Sequence, residues 1–288
     1  MRGVARTGVS LLMLISIACG SAGDPPEAPA ASDPGTSSET SASASATPAA
    51  EPTIDGSFDV GGHELYIRCV GSGSPTIVYL HGYIFDPAGG GSQNAGQVPD
   101  LLADRHQVCV YDRANVGRSD AVEGPLTGRS SIRDLDALLD AASVDGPYLL
   151  VGGSFGGLLA YMYAVTYPKE VVGLVLLDPN LPGYHEGTFD WEATTEQIDQ
   201  TAASREASKL EGHEPDIPVT LVGLEDPEGD VTSADQYEKL KEQILQAQRR
   251  FLDHFPQGEL VIVDAPHYME PVIPDRIAEE IASVAERA

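Results

Sequence analysis

Basic side chains are scarce in this chain of 288 residues. It holds 17 lysines and arginines against 44 aspartates and glutamates, which gives a formal net charge of -27. Binding to nucleic acid requires clustered lysines and arginines that neutralise phosphates, and the sequence contains no such cluster. A surface this acidic also repels polyanionic ligands. The charge therefore excludes nucleic acid from the expected partners.

Motifs for metals and cofactors are also missing. The chain has three cysteines and seven histidines, and their spacing is not that of a zinc site. No glycine-rich phosphate-binding loop and no dinucleotide fingerprint occurs. We therefore expect neither a bound metal ion nor a cofactor.

No hydrophobic run is long enough to span a bilayer, for which about 20 apolar residues are needed. The N-terminal run Leu11–Ile15 follows Arg2 and Arg6. A basic region followed by a short apolar region is the order found in a secretory signal peptide. We predict that residues 1–19 form such a signal and that the chain is exported.

The end of this segment, Ser16–Cys19, resembles a bacterial lipobox, in which the cysteine becomes the lipid-bearing N-terminus. Ser16 departs from the pattern, which prefers leucine there. The resemblance implies lipid attachment at Cys19 and a location on the outer face of the cell membrane, with ordinary secretion as the alternative. The lipid would be the only contact with the membrane.

The segment that follows, residues 20–53, contains no valine, isoleucine, leucine or aromatic residue. Alanine, glycine, serine, threonine, proline and acids cannot bury enough apolar surface to offset the entropy lost on ordering, so this segment is predicted to be disordered. A flexible linker of this length reaches about 30 Å. It can hold a folded domain away from a membrane.

From residue 54 to 288 the pattern indicates one α/β domain. Short β-rich runs alternate with amphipathic segments, which predicts a mostly parallel sheet of eight strands flanked by helices. A polar, helix-like insertion at about 181–214 interrupts the alternation, and we interpret it as a small helical lid after the sixth strand. The predicted strands are Ser57–Val60, His63–Cys69, Thr76–Leu80, Gln107–Tyr111, Tyr148–Val151, Val171–Leu177, Pro218–Val222 and Glu259–Val263.

Ser154 lies at the centre of the sequence Gly-Gly-Ser-Phe-Gly, directly after the apolar strand Tyr148–Val151 and before a good helix former. Strand, G-x-S-x-G and helix in this order are typical of a nucleophile elbow, whose sharp turn exposes the serine oxygen. A serine hydroxyl is a weak nucleophile unless a base is nearby. The motif therefore predicts a base and an acid later in the chain.

His267 follows the last predicted strand in a loop, where a base that reaches the serine is expected. Two carboxylates are candidates for the acid that orients it. Asp226, after the seventh strand, fits the order serine, acid, histidine and is preferred. Asp178, directly after the sixth strand, is the rival. Hydrolysis through Ser154 would also require an oxyanion hole, for which we predict the amides of Phe155 and Tyr83.

Together these motifs resemble the α/β-hydrolase fold superfamily over about residues 56–287. The resemblance is carried by Val-Tyr-Leu-His-Gly at 78–82, by Tyr-Asp-Arg-Ala-Asn-Val-Gly-Arg-Ser at 111–119, by the elbow, and by Asp226 and His267. It implies a central eight-stranded sheet with a lid and a Ser-His-Asp triad. It does not identify a substrate, because the fold supports many chemistries.

Cysteine pairing is a further implication of the resemblance. If Cys19 carries lipid, Cys69 and Cys109 remain as an even pair in an exported protein. In this superfamily the second and fourth strands are neighbours, which would bring these two residues together. We predict a disulfide between them, with two buried free thiols as the alternative.

The expected substrate is a small neutral molecule of the ester type. Aromatic and apolar residues on segments around the serine would form a pocket for an apolar acyl or alkyl group, although each could equally pack the lid on the core. We therefore predict a serine esterase that forms an acyl-enzyme. Alternatives are a peptidase similar to proline iminopeptidases, a thioesterase, or a non-catalytic lipoprotein that binds ligands. The pocket candidates are Tyr83, Ile84, Phe85, Phe155, Tyr184, Phe189, Trp191, Tyr268 and Met269.

Overall fold

A computed structural model describes residues 50–84, 90–183, 196–227 and 233–288. The chain divides into two units, Met1–Ser45 and Ala46–Ala288. The first unit lies outside the described residues, as do the predicted signal peptide, the lipidation site Cys19 and nearly all of the predicted linker. In the part of the chain that is described, no helix is both long and apolar enough to cross a membrane.

Eight strands form a single sheet in the order β1-β2-β4-β3-β5-β6-β7-β8. β2 pairs antiparallel with β1 and β4, and the remaining neighbours are parallel. The predicted fold class is confirmed. The strands are β1 (Pro52–Asp59), β2 (Glu64–Val70), β3 (Thr76–Leu80), β4 (Val108–Tyr111), β5 (Tyr148–Gly153), β6 (Val171–Leu177), β7 (Val219–Leu224) and β8 (Gly258–Val263).

Helices cover both faces of the sheet. Because successive strand residues point to opposite faces, Val78 and Leu80 enter one apolar core while Ile77 and Tyr79 enter the other. Helices α2 to α5 contribute to the first core, and α1 and α6 pack on the second. The helices are α1 (Val98–Leu102), α2 (Gly128–Ala141), α3 (Phe155–Thr166), α4 (Gln200–Ser208), α5 (Ala234–Leu252) and α6 (Pro274–Arg287).

The predicted end of the disordered linker at residue 53 is wrong, because β1 already begins at Pro52. Pro52 lies opposite Val70 of β2, and the Thr53 hydroxyl donates to the Cys69 carbonyl oxygen at 3.2 Å. An edge strand pairs on one side only, so it can form from a polar sequence with little apolar burial.

The predicted lid region lies between β6 and β7. Of its residues, 184–195 lie outside the described part, and α4 occupies the centre of the remainder. Asp199 caps this helix by accepting a hydrogen bond from the Ala202 amide at 2.8 Å. Buried Ala203 and Ala207 pack α4 against α2 and α3.

The two cysteines of the folded unit lie directly opposite each other. Cys69 on β2 pairs with Cys109 on β4, their Cα atoms are 4.0 Å apart and both side chains are fully buried. The expected proximity of the second and fourth strands is confirmed, whereas the covalent bond stays a prediction.

We expect iodoacetamide to label neither Cys69 nor Cys109 in denatured protein without reductant, and to label both after reduction. A bridge across this sequence separation of 40 removes loop entropy from the unfolded chain, so reduction should lower the free energy of unfolding by about 4 kcal/mol. Intact-mass spectrometry and urea denaturation measure the two effects. Labelling before reduction would show free thiols.

Candidate active site

Ser154 is the single residue between β5 and α3. Its backbone adopts φ +50° and ψ -119°, a conformation that is uncommon for a residue with a side chain. The Ser154 amide donates to the Leu177 carbonyl oxygen at 2.9 Å, and the Asn180 amide donates to the Ser154 carbonyl oxygen at 2.9 Å. Bonds on both sides therefore hold this strained turn against the end of β6.

Glycines make the turn possible. A Cβ atom at Gly152 would lie 2.5 Å from the Gly156 carbonyl oxygen, and one at Gly156 would collide with the Leu80 carbonyl oxygen. Neither position has room for a side chain, because α3 begins immediately against β5 and β3. The predicted elbow geometry is thus present at Ser154.

The loop that follows β3 packs on the elbow. A Cβ atom at Gly82 would lie 3.3 Å from the Ser154 Cβ, so the peptide that leads into Tyr83 runs beside the serine. On the other side, Phe155 is the first residue of α3, where amides have no partner within the helix. The two segments predicted to supply an oxyanion hole therefore flank Ser154.

A buried ion pair anchors this loop. The Arg113 guanidinium donates to the carbonyl oxygens of His81 at 2.5 Å and Gly82 at 2.7 Å, and pairs with the Glu196 carboxylate at 2.9 Å. Glu196 also accepts the Ile84 amide at 2.5 Å. Burial raises the pKa of Glu196, and Arg113 opposes that shift. Sequence reasoning missed this pair, because 83 positions separate its members.

His81 is a neutral imidazole in this network. It is fully buried, and burial together with the nearby Arg113 charge holds its pKa well below the usual value. Its Nδ1 donates to the Gly82 carbonyl oxygen at 2.7 Å, which leaves Nε2 to accept the Arg113 amide at 3.3 Å. Both ring nitrogens therefore stabilise the loop.

We expect Glu196→Gln to lower the free energy of unfolding by about 3–5 kcal/mol, because it leaves the Arg113 charge buried without its counter-ion. Urea denaturation measures this loss. The control is Glu279→Gln in the exposed pair with Arg276, which should cause no measurable change. Equal stability of wild type and Glu196→Gln would contradict the anchoring role.

His267 lies in the loop between β8 and α6 and binds an acid. Its Nδ1 is 2.6 Å from Oδ2 of Asp178, which directly follows β6. Asp178 has φ +37°, and its amide donates to the Val222 carbonyl oxygen of β7 at 2.7 Å. Because β5 and β6 are parallel neighbours, Ser154 and Asp178 lie at the same carboxyl edge of the sheet.

The structure does not bring Asp226 to the imidazole, contrary to the prediction. The loop after β7 turns outward over α5, where the Asp226 carboxylate accepts from Lys241 at 3.0 Å and from Tyr237 at 3.1 Å. The hydrogen bond from Lys241 lowers the pKa of Asp226, whose side chain is 71% exposed. The position facing His267 is taken by the rival, Asp178.

A second acid lies behind the elbow and was not anticipated. Glu270 is buried, it bonds to the Tyr79 hydroxyl, and a Cβ atom at Gly153 would lie 3.0 Å from its Oε1. Burial raises the pKa of Glu270. Its carboxyl group therefore fills the space behind the strand that leads to Ser154.

A cavity of about 240 Å³ opens beside the imidazole and its acid. The predicted pocket residues that the structure describes are not part of its lining: Phe155 and Met269 are fully buried in the two cores, and Tyr268 is 47% exposed. Phe85, Tyr184, Phe189 and Trp191 lie outside the described residues. The described residues that line it are Asp178, Pro179, Asn180, Leu181, Pro227, Ile244, Ala247, Gln248 and His267.

Comparison with known proteins agrees with this architecture. A family model for the alpha/beta hydrolase fold matches residues 75–213. A solved thioesterase domain from the curacin biosynthetic pathway aligns with a TM-score of 0.56 and 17% identity over 80% of this chain and 98% of that domain. This match and the shared architecture support the α/β-hydrolase superfamily, and the fold of the described residues is the α/β-hydrolase fold.

Curated relatives match over a shorter stretch. The uncharacterized protein YqjL of Bacillus subtilis is 33% identical over 41% of this chain and 45% of its own length. A proline iminopeptidase of Lactobacillus helveticus is 32% identical over 44% of each chain. The chain thus spans less than half the length of these relatives.

Proposed function

We propose that the chain is a serine hydrolase that cleaves carboxylic esters through an acyl-enzyme. Ser154 is the nucleophile, His267 the base and Asp178 the acid that orients the base. The observation that carries this proposal is the 2.6 Å contact between His267 and Asp178, at the edge of the sheet where the elbow presents Ser154. Because Nδ1 faces Asp178, Nε2 is the ring nitrogen that we assign to the serine proton.

The reaction follows from these roles. His267 Nε2 accepts the hydroxyl proton as the Ser154 oxygen attacks the ester carbonyl carbon, and the Asp178 charge stabilises the imidazolium. The imidazolium then gives this proton to the departing alkoxide, which leaves an acyl group on Ser154. Water, deprotonated by the same imidazole, attacks the acyl carbonyl carbon. The bond from this carbon to the Ser154 oxygen breaks, the imidazolium returns its proton to that oxygen, and the carboxylic acid is released. No further reactant is needed.

The tetrahedral intermediates carry a negative oxygen. The amides of Phe155 and Tyr83 are the donors we assign to it, because their segments flank Ser154 on opposite sides. Each such donor typically lowers the activation free energy by about 3–4 kcal/mol. The positive end of α3 adds to this stabilisation. The ion pair of Arg113 and Glu196 holds the loop that carries Tyr83 in place.

The size and lining of the cavity favour a small substrate. Drug-sized ligands occupy pockets of about 300–1,000 Å³, and the cavity beside His267 measures about 240 Å³. Apolar side chains such as Leu181 and Ile244 form part of its wall. An acyl or alkyl group of a few carbon atoms would fit there.

Two variants of the chemistry have support from the comparisons. A proline iminopeptidase is among the curated relatives, and a thioesterase domain shares the fold. Amides and thioesters pass through the same tetrahedral intermediate as esters. A panel of butanoate esters, amides and thioesters tests the reaction type, with Ser154→Ala as the blank. Selective cleavage of amides or thioesters would replace the ester proposal.

We also propose that the protein is exported and anchored by lipid at Cys19. The support is the order of basic residues, apolar run, Cys19 and polar linker in residues 1–53. Metabolic labelling with a palmitate analogue should mark the wild type and not Cys19→Ser. Absence of label from the wild type would leave ordinary secretion as the explanation of the signal peptide.

A further inference from the structure

A buried glutamine faces the cavity beside His267. Gln248 lies on α5, is only 4% exposed and belongs to the cavity wall. The helix is otherwise polar on its outer side, and its other buried residues are Phe251 and Leu252. A carboxamide therefore occupies an inward position where an apolar residue would normally pack.

The carboxamide of Gln248 has no hydrogen-bond partner anywhere in the residues 50–84, 90–183, 196–227 and 233–288. The fully buried side-chain atoms without a partner in the described residues belong to His63, Tyr111 and Ser204, so the Gln248 amide keeps some access to the cavity that it lines. A Cβ atom at Gly223 would lie 2.8 Å from its Oε1 and 2.9 Å from its Nε2. The amide thus lies flat against β7, in the wall of the cavity.

The charges around the cavity restrict what this amide could bind. Among the lining residues that the structure describes there is no lysine or arginine, so none of them could act as counter-ion to an anionic group. The one acid among the described lining residues, Asp178, is hydrogen-bonded to His267 at 2.6 Å, so this part of the wall offers no second carboxylate to a cation. A neutral group with both a donor and an acceptor, such as an amide or a hydroxyl, is what a glutamine side chain complements.

We propose that Gln248 determines specificity: the ester substrate carries a neutral hydrogen-bonding group, an amide or hydroxyl, that binds the Gln248 carboxamide in the cavity beside His267. This inference rests on the proposed hydrolase function and names its substrate class. The apolar wall contacts the short alkyl segment between this group and the ester, and the Gln248 carboxamide hydrogen-bonds to the polar group at its end.

Two pairs of esters with identical skeletons test the proposal. On the acyl side, 4-nitrophenyl N-acetyl-β-alaninate is compared with 4-nitrophenyl 5-methylhexanoate. On the alcohol side, 2-acetamidoethyl butanoate is compared with 4-methylpentyl butanoate. In the wild type, kcat/KM should favour the amide-bearing member of at least one pair. In Gln248→Met, this preference should fall by at least about tenfold.

The matched control is Gln243→Met, which makes the same substitution at an exposed position of α5 and should retain the wild-type preference. The absence of any preference in the wild type would overturn the proposal, and so would an equal effect of Gln248→Met on both members of a pair. If all four esters react at the rate of the Ser154→Ala blank, the hydrolase proposal itself fails. The preference within each pair thus tests the role of Gln248, whereas activity above the blank tests the hydrolase function.

Discussion

Ser154→Ala is expected to lower kcat for ester hydrolysis by on the order of 10⁶, which is the scale of losing the nucleophile of a serine hydrolase. The alanine cannot form the acyl-enzyme, so only transition-state stabilisation by the amides around the site would remain. Release of 4-nitrophenol from 4-nitrophenyl butanoate measures the loss. A fluorophosphonate probe should also modify the wild type at Ser154, as located by peptide mass spectrometry, and leave the variant unmodified.

Ser143→Ala is the matched control. Ser143 also has a positive φ, +54°, but it is an exposed residue in the loop between α2 and β5. Its replacement should leave both hydrolysis and probe labelling at the wild-type level. A folded wild type that does not react with the probe would instead favour a binding protein that retains the fold without the activity.

Asp178→Asn should lower kcat by on the order of 10⁴, the effect of making the orienting acid of a triad neutral. An asparagine keeps the size of the side chain but not the charge that stabilises the imidazolium. It also replaces one carboxylate oxygen by an NH2 donor, so the Nδ1-H tautomer of His267 is no longer enforced. Steady-state kinetics with 4-nitrophenyl butanoate measure the change, and circular dichroism verifies that the variant is folded.

Asp226→Asn is the comparison that distinguishes the two carboxylates. Its side chain is exposed and bonds to Lys241 and Tyr237, so the substitution should change kcat by less than about threefold. The opposite ranking, with Asp226→Asn the more damaging variant, would mean that the loop after β7 rearranges during turnover and that the assignment of Asp178 is wrong.

Local sequence patterns were sufficient for most of the sheet. The apolar runs Thr76–Leu80 and Val171–Leu177 coincide with β3 and β6, because strands buried on both faces are continuous hydrophobic segments. The elbow could equally be predicted from the sequence, because its strand, glycines, serine and helix are contiguous along the chain. The exposed edge strand β1 was placed less well, because its sequence is almost as polar as the linker before it.

The acid could not be chosen from the sequence. Asp178 and Asp226 both follow strands that end at the same edge, and chain order permits either. The choice depends on the paths of two loops. Asp178 turns inward through a positive φ and a bond to Val222, whereas Lys241 on α5 holds Asp226 outside.

By itself, the sequence determined the fold class, the turn at Ser154 and the candidacy of His267, because each depends on residues that are neighbours along the chain or on the period of a strand. Only the tertiary structure decided which carboxylate faces the imidazole, that Arg113 and Glu196 anchor the loop after β3, and that Gln248 lines the cavity. These contacts join residues that are far apart in sequence. Their strength depends on how deeply the side chains are buried and which way they point, and both are defined only after the chain has folded.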